Sequence, residues 1–341
     1  MKSRMNPSLL FVVFLLAATS VSGTPSNVMM EEPSARAVKF YPPDQIPAEL
    51  SVQNISIARQ AVVKFVGMMG GCSGVYISND GYLLTAMHCF EKDLLSSGAV
   101  EFRTLGGPGR EQYLLNPEKL RGLRFSIVLG DKEIEADAVA AGPGFLSESF
   151  KATLHKNQSM GDELRAQGFD YMGDFMIIKI HSQSPTPCLM TSFKEIKPGD
   201  ILWTLGYPVK SERGDGFDSS GKTQYLSFGK ITTPRQNACL TELYYSGATD
   251  DFARLSDWFF NNPGTEWTDL DILAGSSGAP VLDSFGRIVG LVTRRSGGVD
   301  HIRKFCGAAN FTRLASIRKM IDQAPGGIPS SRLFSCGQDW D

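Results

Sequence analysis

Two short segments carry side chains whose types and surroundings suit nucleophilic chemistry. Gly275-Ser276-Ser277-Gly278-Ala279-Pro280 offers a hydroxyl in a glycine-bounded turn, and Leu84-Thr85-Ala86-Met87-His88-Cys89, far upstream, offers an imidazole after a short apolar run. A serine hydroxyl is a weak nucleophile at neutral pH. It needs a base within hydrogen-bond reach, and the base needs a third group that holds its tautomer and stabilises its charged form. The glycines around Ser277 serve a separate need: the backbone must turn sharply so that the N–H groups of Gly275 and Ser277 can point at one developing oxyanion. Pro280 ends the turn and Val281-Leu282 starts a new strand.

The third member should be a buried acid at a strand start. Gly173-Asp174-Phe175-Met176-Ile177-Ile178-Lys179-Ile180 offers Asp174 ahead of a nearly continuous apolar run, with Asp170 as the nearby competitor. Ser276 competes with Ser277 in the same turn, and the Gly-x-Ser-Gly frame selects Ser277. Of the four histidines, His155, His181 and His301 lack the context of His88 and read as solvated. The chain order is then His, Asp, Ser, which belongs to chymotrypsin-type enzymes rather than to subtilisins or α/β-hydrolases.

On these residues the chain resembles the trypsin-like serine proteases of the chymotrypsin fold. Thr85-Ala86-Met87-His88-Cys89 is similar to the family's T-A-A-H-C, Asp174-Phe175-Met176-Ile177-Ile178 to its D-I-A-L-L, and Gly275 to Pro280 to its G-D-S-G-G-P. Gly206-Tyr207-Pro208 and Gly286-Arg287-Ile288-Val289-Gly290-Leu291 fall where the family places a loop and a late strand. The resemblance covers roughly residues 60 to 322. It implies an all-β fold of two six-stranded antiparallel β-barrels, the active site between them, and a C-terminal helix. It also implies a serine endopeptidase acting on protein or peptide substrates without cofactor or metal, with Ser277 as nucleophile, His88 as base, Asp174 as orienting acid, and Gly275 and Ser277 as oxyanion donors.

Two departures bear on its kind. Ser276 stands where the animal enzymes have Asp, so the buried ion pair that a freshly cut N-terminus makes in those zymogens cannot form. Ala279, and Thr268-Asp269 ahead of the nucleophile, are closer to bacterial secreted proteases and the HtrA catalytic domain, without the PDZ-like extension. The rival reading is a protease-like binding protein that has lost turnover, although no triad residue is missing.

Specificity has two readings. In trypsin-like enzymes the sixth residue before the nucleophile lies at the base of the primary pocket. Here it is Asp271, which would select Lys or Arg, whereas an HtrA-like alignment makes it a loop residue. Thr293-Arg294-Arg295 follows the late strand at the expected pocket wall, and its guanidinium groups can pair with Asp271 or attract acidic substrates. The resemblance also places Cys72 and Cys89 at the family's bridge beside the histidine. Cys188, Cys239, Cys306 and Cys336 then allow three pairings.

The rest of the chain sets the context. Lys2 and Arg4 followed by Leu9 to Ala18 and small residues up to Gly23 read as an export signal over residues 1–23, cut near Gly23 or Ser22. The apolar run is too short to span a bilayer comfortably, no later one approaches that length, and no membrane anchor is expected. Losing Lys2 and Arg4 moves the formal charge from −2 to about −4. With no basic stripe, nucleic acid is not an expected partner. Six cysteines in an exported chain, with no Cys-x-x-Cys or clustered histidines, favour disulfides over metal sites.

Residues 24–58 hold several prolines and little periodicity, which suits an N-terminal extension or pro-segment. A first barrel is expected over 59–190, where Ala61–Val66, Gly74–Ile77 and Tyr82–Thr85 alternate with turn residues such as Asn79-Asp80-Gly81. A second is expected over 191–325, and 326–341 is a tail. Gly106-Gly107-Pro108-Gly109, Ser211 to Gly221 and Asp257 to Trp267 mark insertions or loops, and Asn310-Phe311-Thr312 can cap a helix with apolar face Leu314, Ile317, Met320 and Ile321. Asn54-Ile55-Ser56, Asn157-Gln158-Ser159 and Asn310-Phe311-Thr312 also fit the glycosylation triplet, which has no meaning in a bacterial source.

Overall fold

The computed structural model describes residues 40–41, 45–67, 70–104, 111–129, 131–142, 144–146, 173–181, 184–208, 222–232, 265–270, 272, 275–295, 309–324, 326–336 and 338–339. In chain order the elements begin with β1 (Phe40–Tyr41), α1 (Val52–Ala61), β2 (Val62–Gly67), β3 (Gly70–Tyr76) and β4 (Tyr82–Thr85), followed by a 3₁₀ turn at Met87–Phe90 and α2 (Glu91–Ser96). Next come β5 (Val100–Thr104), β6 (Glu111–Leu115), α3 (Pro117–Leu120), β7 (Arg124–Leu129), β8 (Lys132–Ala141), β9 (Gly144–Leu146) and β10 (Met176–Ile180). The remainder is β11 (Thr191–Ser192), β12 (Ile201–Gly206), β13 (Tyr225–Thr232), β14 (Thr265–Thr268), β15 (Pro280–Asp283), β16 (Ile288–Arg295), β17 (Ala309–Arg313), α4 (Leu314–Gln323), α5 (Ser330–Leu333) and β18 (Gln338–Asp339).

Among the described residues β-structure predominates, in three sheets. Six antiparallel strands close a barrel in the order β10-β4-β3-β2-β7-β8. Nine strands form a second sheet ordered β15-β12-β13-β14-β17-β16-β11-β18, with β1 beside β13 and a further pairing of β15 with β16. Strands β5, β6 and β9, all between His88 and Asp174 in the chain, make a small sheet of their own.

The continuous apolar runs of β4 and β10 follow from burial on both faces. Successive strand residues point to opposite sides, so Leu83, Met176 and Ile178 enter a core with Phe90, Phe125 and Ile127. Leu84 and Ile177 instead join Trp203, Leu205, Leu282 and Leu291 of the second sheet in another. A third core, of Leu202, Val281, Val289, Val292 and Phe311, fills the second sheet. The β3–β4 connection turns at Asn79-Asp80-Gly81. Gly81 has φ 86°, and a Cβ there would lie 2.4 Å from the Ile180 carbonyl oxygen, so glycine is required twice over.

Three features differ from expectation. Helix α1 crosses the boundary placed at residue 58: Ser51 caps it by accepting from Asn54 N–H, and Ile55, Ala58 and Ala61 are buried. The C-terminal helix does bury Leu314, Ile317 and Ile321, with Met320 packed beside them, but its N-cap is Arg313, which makes no side-chain capping bond, and Asn310 belongs to β17. Strand pairing of Asn310 with Trp267 and Arg294 overrides its capping propensity. Residues 326–336, expected as a tail, carry α5 with Leu333 and Phe334 fully buried, and Cys336 is bonded to Cys188. That bridge selects among the three pairings left open, while Cys239 and Cys306 lie outside the described residues. So do the expected signal, the loops at 106–109 and 211–221, and Asn157, His155 and His301. Among the described residues, no helix is long and apolar enough to cross a membrane.

Candidate active site

His88 is held by what surrounds it in sequence. Strand β4 ends at Thr85, Ala86 stays extended, and the chain then closes a 3₁₀ turn whose Met87, Cys89 and Phe90 are buried, which leaves His88 half-exposed. Cys89 is bonded to Cys72 on β3, across 17 positions. On the chain-entropy account such a loop contributes about 3 kcal/mol. The double substitution of Cys72 and Cys89 by Ser is therefore expected to lower the thermal midpoint by roughly 5–10 °C in a calorimetric scan. An unchanged midpoint would show that the bridge adds nothing to stability.

Asp174 reaches His88 through strand register. Antiparallel pairing of β10 with β4 sets Met176 opposite Thr85, so the residues just before β10 lie beside those just after β4. Both carboxylate oxygens are used there. Oδ1 accepts the His88 backbone N–H at 2.9 Å, and Oδ2 lies 2.7 Å from ring Nδ1. A carboxylate only accepts, so the ring proton resides on Nδ1 and Nε2 is the unprotonated ring nitrogen. The Asp174 side chain is 15 % exposed against 34 % for His88, an acid screened from water beside a reachable imidazole. Asp170, the competitor, lies outside the described residues.

The backbone under Asp174 is crowded. Gly142 N–H donates to the Phe175 carbonyl at 2.9 Å, and a Cβ on Gly142 would fall 1.6 Å from the Gly173 carbonyl oxygen. Gly142→Ala must push the segment before β10 aside. It is expected to destabilise by about 2–3 kcal/mol and, with Asp174 as the orienting acid the sequence leads one to expect, to lower turnover by roughly 10²-fold, the penalty for ångström-scale misplacement of such a group. Thermal unfolding and kinetics on the same sample check both.

The Ser277 turn is built on two left-handed glycines, Gly275 at φ 93° and Gly278 at φ 82°. Gly278 N–H donates to the Val292 carbonyl at 2.8 Å, and Val292 N–H returns a bond to Ala279 at 2.9 Å, fixing the turn to β16. A Cβ on Gly278 would lie 2.1 Å from the Ser73 carbonyl oxygen and 2.9 Å from Ala86 N, so the turn presses against the segment that leads into His88. Ser276 is 4 % exposed, whereas Ser277 is half-buried. The hydroxyl of Ser276 lies toward Gly206.

Sequence reasoning missed Ser73, which the structure puts at the junction of these parts: its N–H donates to the Ser277 carbonyl at 2.8 Å and its hydroxyl to the Gly275 carbonyl at 2.9 Å. Of the pocket candidates, Thr293 is buried on β16 with its hydroxyl 3.3 Å from that of Thr312. Arg294 pairs with Asn310 through the backbone after a register shift, its side chain lies outside the described residues, and so does Asp271. His181 is exposed and contacts Asp137 at 2.7 Å. Burial pushes the Tyr207 hydroxyl above its ordinary range and keeps it neutral through moderately alkaline pH. Cys72, His88 and Cys89 bring three ligand atoms within 4.8 Å, but the two sulfurs are bonded to each other and supply no thiolate.

The sequence profile of a family described as trypsin-like peptidase domain matches residues 72–291. The chain belongs to that family. The matched span takes in the trypsin-like elements described above, from Cys72 on β3 to Leu291 on β16. No curated protein matches the chain. Among solved structures, it is similar to a crystal structure of the Rv3671c protease in an inactive form, at 15 % identity and TM-score 0.42, over 82 % of this chain and 97 % of that one. It is likewise similar to a serine-to-alanine mutant of Rv3671c from M. tuberculosis H37Rv, also inactive, at 15 % identity and TM-score 0.43, over 85 % and 98 %. The trypsin-like peptidase assignment rests on the profile match.

Proposed function

We propose that this chain is an exported serine endopeptidase that hydrolyses peptide bonds through Ser277, His88 and Asp174 and an acyl-enzyme. The observation that carries the reading is the two-point grip of Asp174 on His88, with the glycine-built Ser277 turn packed on the same strand end. Ser277 Oγ attacks the substrate carbonyl carbon while His88 Nε2 takes its proton, and the N–H groups of Gly275 and Ser277 receive the oxyanion. His88 returns the proton to the leaving amine as the C–N bond breaks, leaving an ester on Ser277. Water, deprotonated by His88, then cleaves that ester. Asp174 stabilises the imidazolium in both halves.

The architecture we read is two six-stranded barrels with the site between them. Support for the second barrel comes from β15, which pairs with both β12 and β16 and so returns the path β12-β13-β14-β17-β16-β15 to its start. Residues 1–23 are the signal and 24–58 an extension ending within α1; the barrels span 59–190 and 191–325, and 326–341 is a closing tail. The disulfides suit an oxidising compartment. Asp271, Thr293 and Arg294 shape substrate choice. A peptide-library digest by the purified protein beside Ser277→Ala tests the proposal: cuts by the wild type alone support it, and cuts after Lys or Arg support Asp271 as selector. A folded protein that makes no cuts is the binding protein instead.

A further inference from the structure

Ser73 is fully buried on β3, yet its polar atoms all reach segments of the proposed site. Besides the bonds to Ser277 and Gly275, its hydroxyl oxygen accepts Tyr207 N–H at 3.0 Å, and its carbonyl accepts the Thr85 hydroxyl at 2.9 Å. The bond to Gly275 differs from the others in what it controls. Gly275 sits at φ 93° without a side chain, so its backbone is free to rotate in a way that an ordinary residue's is not. Its carbonyl belongs to the peptide that links the two N–H groups assigned to the oxyanion. Holding that carbonyl sets the peptide plane between the two donors and so restrains the directions in which both can point.

We infer that the Ser73 hydroxyl is a positioning group for the oxyanion turn, holding the Gly275 carbonyl so that the Gly275 and Ser277 N–H groups converge on one point. This rests on the endopeptidase reading. Nothing about it requires Ser73 to touch substrate, and the effect passes through the turn alone. Tyr207 N–H completes the arrangement, since donation into the Ser73 oxygen directs the hydroxyl proton away from Tyr207 and toward Gly275.

Ser73→Ala keeps the backbone bonds of β3 and removes only the hydroxyl. Loss of one oxyanion donor in a known protease lowers turnover about 10²–10³-fold. A turn left loose is expected to lose somewhat less, about 10–10²-fold in kcat, with KM within about twofold. Affinity for a peptide aldehyde, whose adduct carries the oxyanion, should fall by the same factor as kcat. The acid limb of the pH profile, which reports His88, should not move. Ser73→Thr, which keeps the hydroxyl, should retain most of the wild-type kcat. A folded Ser73→Ala with unchanged kcat and aldehyde affinity overturns the inference, as does a loss shared equally by Ser73→Thr. Should Ser73→Ala fail to fold, Ser73→Thr decides alone: near-wild-type turnover and aldehyde affinity uphold the hydroxyl's role, and a loss of both overturns it. A wild-type protein that neither cleaves peptides nor reacts with a fluorophosphonate overturns the endopeptidase reading, and this inference with it; an active wild type beside an equally active Ser73→Ala overturns only the inference.

Discussion

Replacing Ser277 by Ala is expected to lower kcat for peptide hydrolysis by about 10⁵–10⁶-fold, the scale on which serine proteases respond to loss of the nucleophile, while the thermal midpoint moves by no more than about 2 °C. The combination is the point. Ser277 contributes its carbonyl to the Ser73 contact and its N–H to the proposed oxyanion site, and alanine preserves both. Only the hydroxyl goes, from a half-buried position where its removal leaves no sealed cavity. Kinetics and calorimetry on one preparation separate loss of chemistry from loss of fold. A variant with a tenth of normal activity would mean that another group, such as Ser276, does the attacking.

The second large effect is at Asp174. Two N–H groups converge on its carboxylate, one from the His88 backbone and one from the ring. Asparagine has a single acceptor oxygen, so Asp174→Asn can satisfy only one of them. Whichever way the amide turns, either the buried turn before Cys89 loses its anchor or the ring faces an NH₂ group. Facing NH₂, the ring is driven to the tautomer with its proton on Nε2, where it cannot take one from Ser277. A fall of about 10⁴-fold in kcat is expected, together with a loss of roughly 1–3 kcal/mol in stability from the unsatisfied donor. Wild-type kcat in Asp174→Asn would remove the acid from the mechanism.

How much of this was legible in the sequence depends on how local each cause is. The segments around His88, Asp174 and Ser277 announce themselves because turn geometry and strand entry need particular residues in a row, and register alone then carries Asp174 to His88. The Cys72–Cys89 bridge is similarly short-range. Helix α1 was harder to see because its buried face is only Ile55, Ala58 and Ala61, two of them alanines, while Val52 and Ile57 point to solvent. Such a face gives little contrast against a polar background. The Cys188–Cys336 bridge spans 148 positions, and β18 adds just two residues beside β11, so the tail's attachment depends on distant partners. Ser73 was invisible for the same reason: its four contacts lie at Thr85, Tyr207 and the Ser277 turn, and no local pattern around a lone strand serine reports them. Asn310 shows the opposite error, a strong local capping signal overruled by strand pairing.

On the proposed mechanism, Ser277 is an activated nucleophile. The most direct test is reaction of the purified protein with a fluorophosphonate, followed by intact mass and peptide mapping, beside Ser277→Ala and heat-unfolded wild type. A single adduct on Ser277, absent from both controls, is expected. Failure of the folded wild type to react, or an adduct on any other residue, would contradict it.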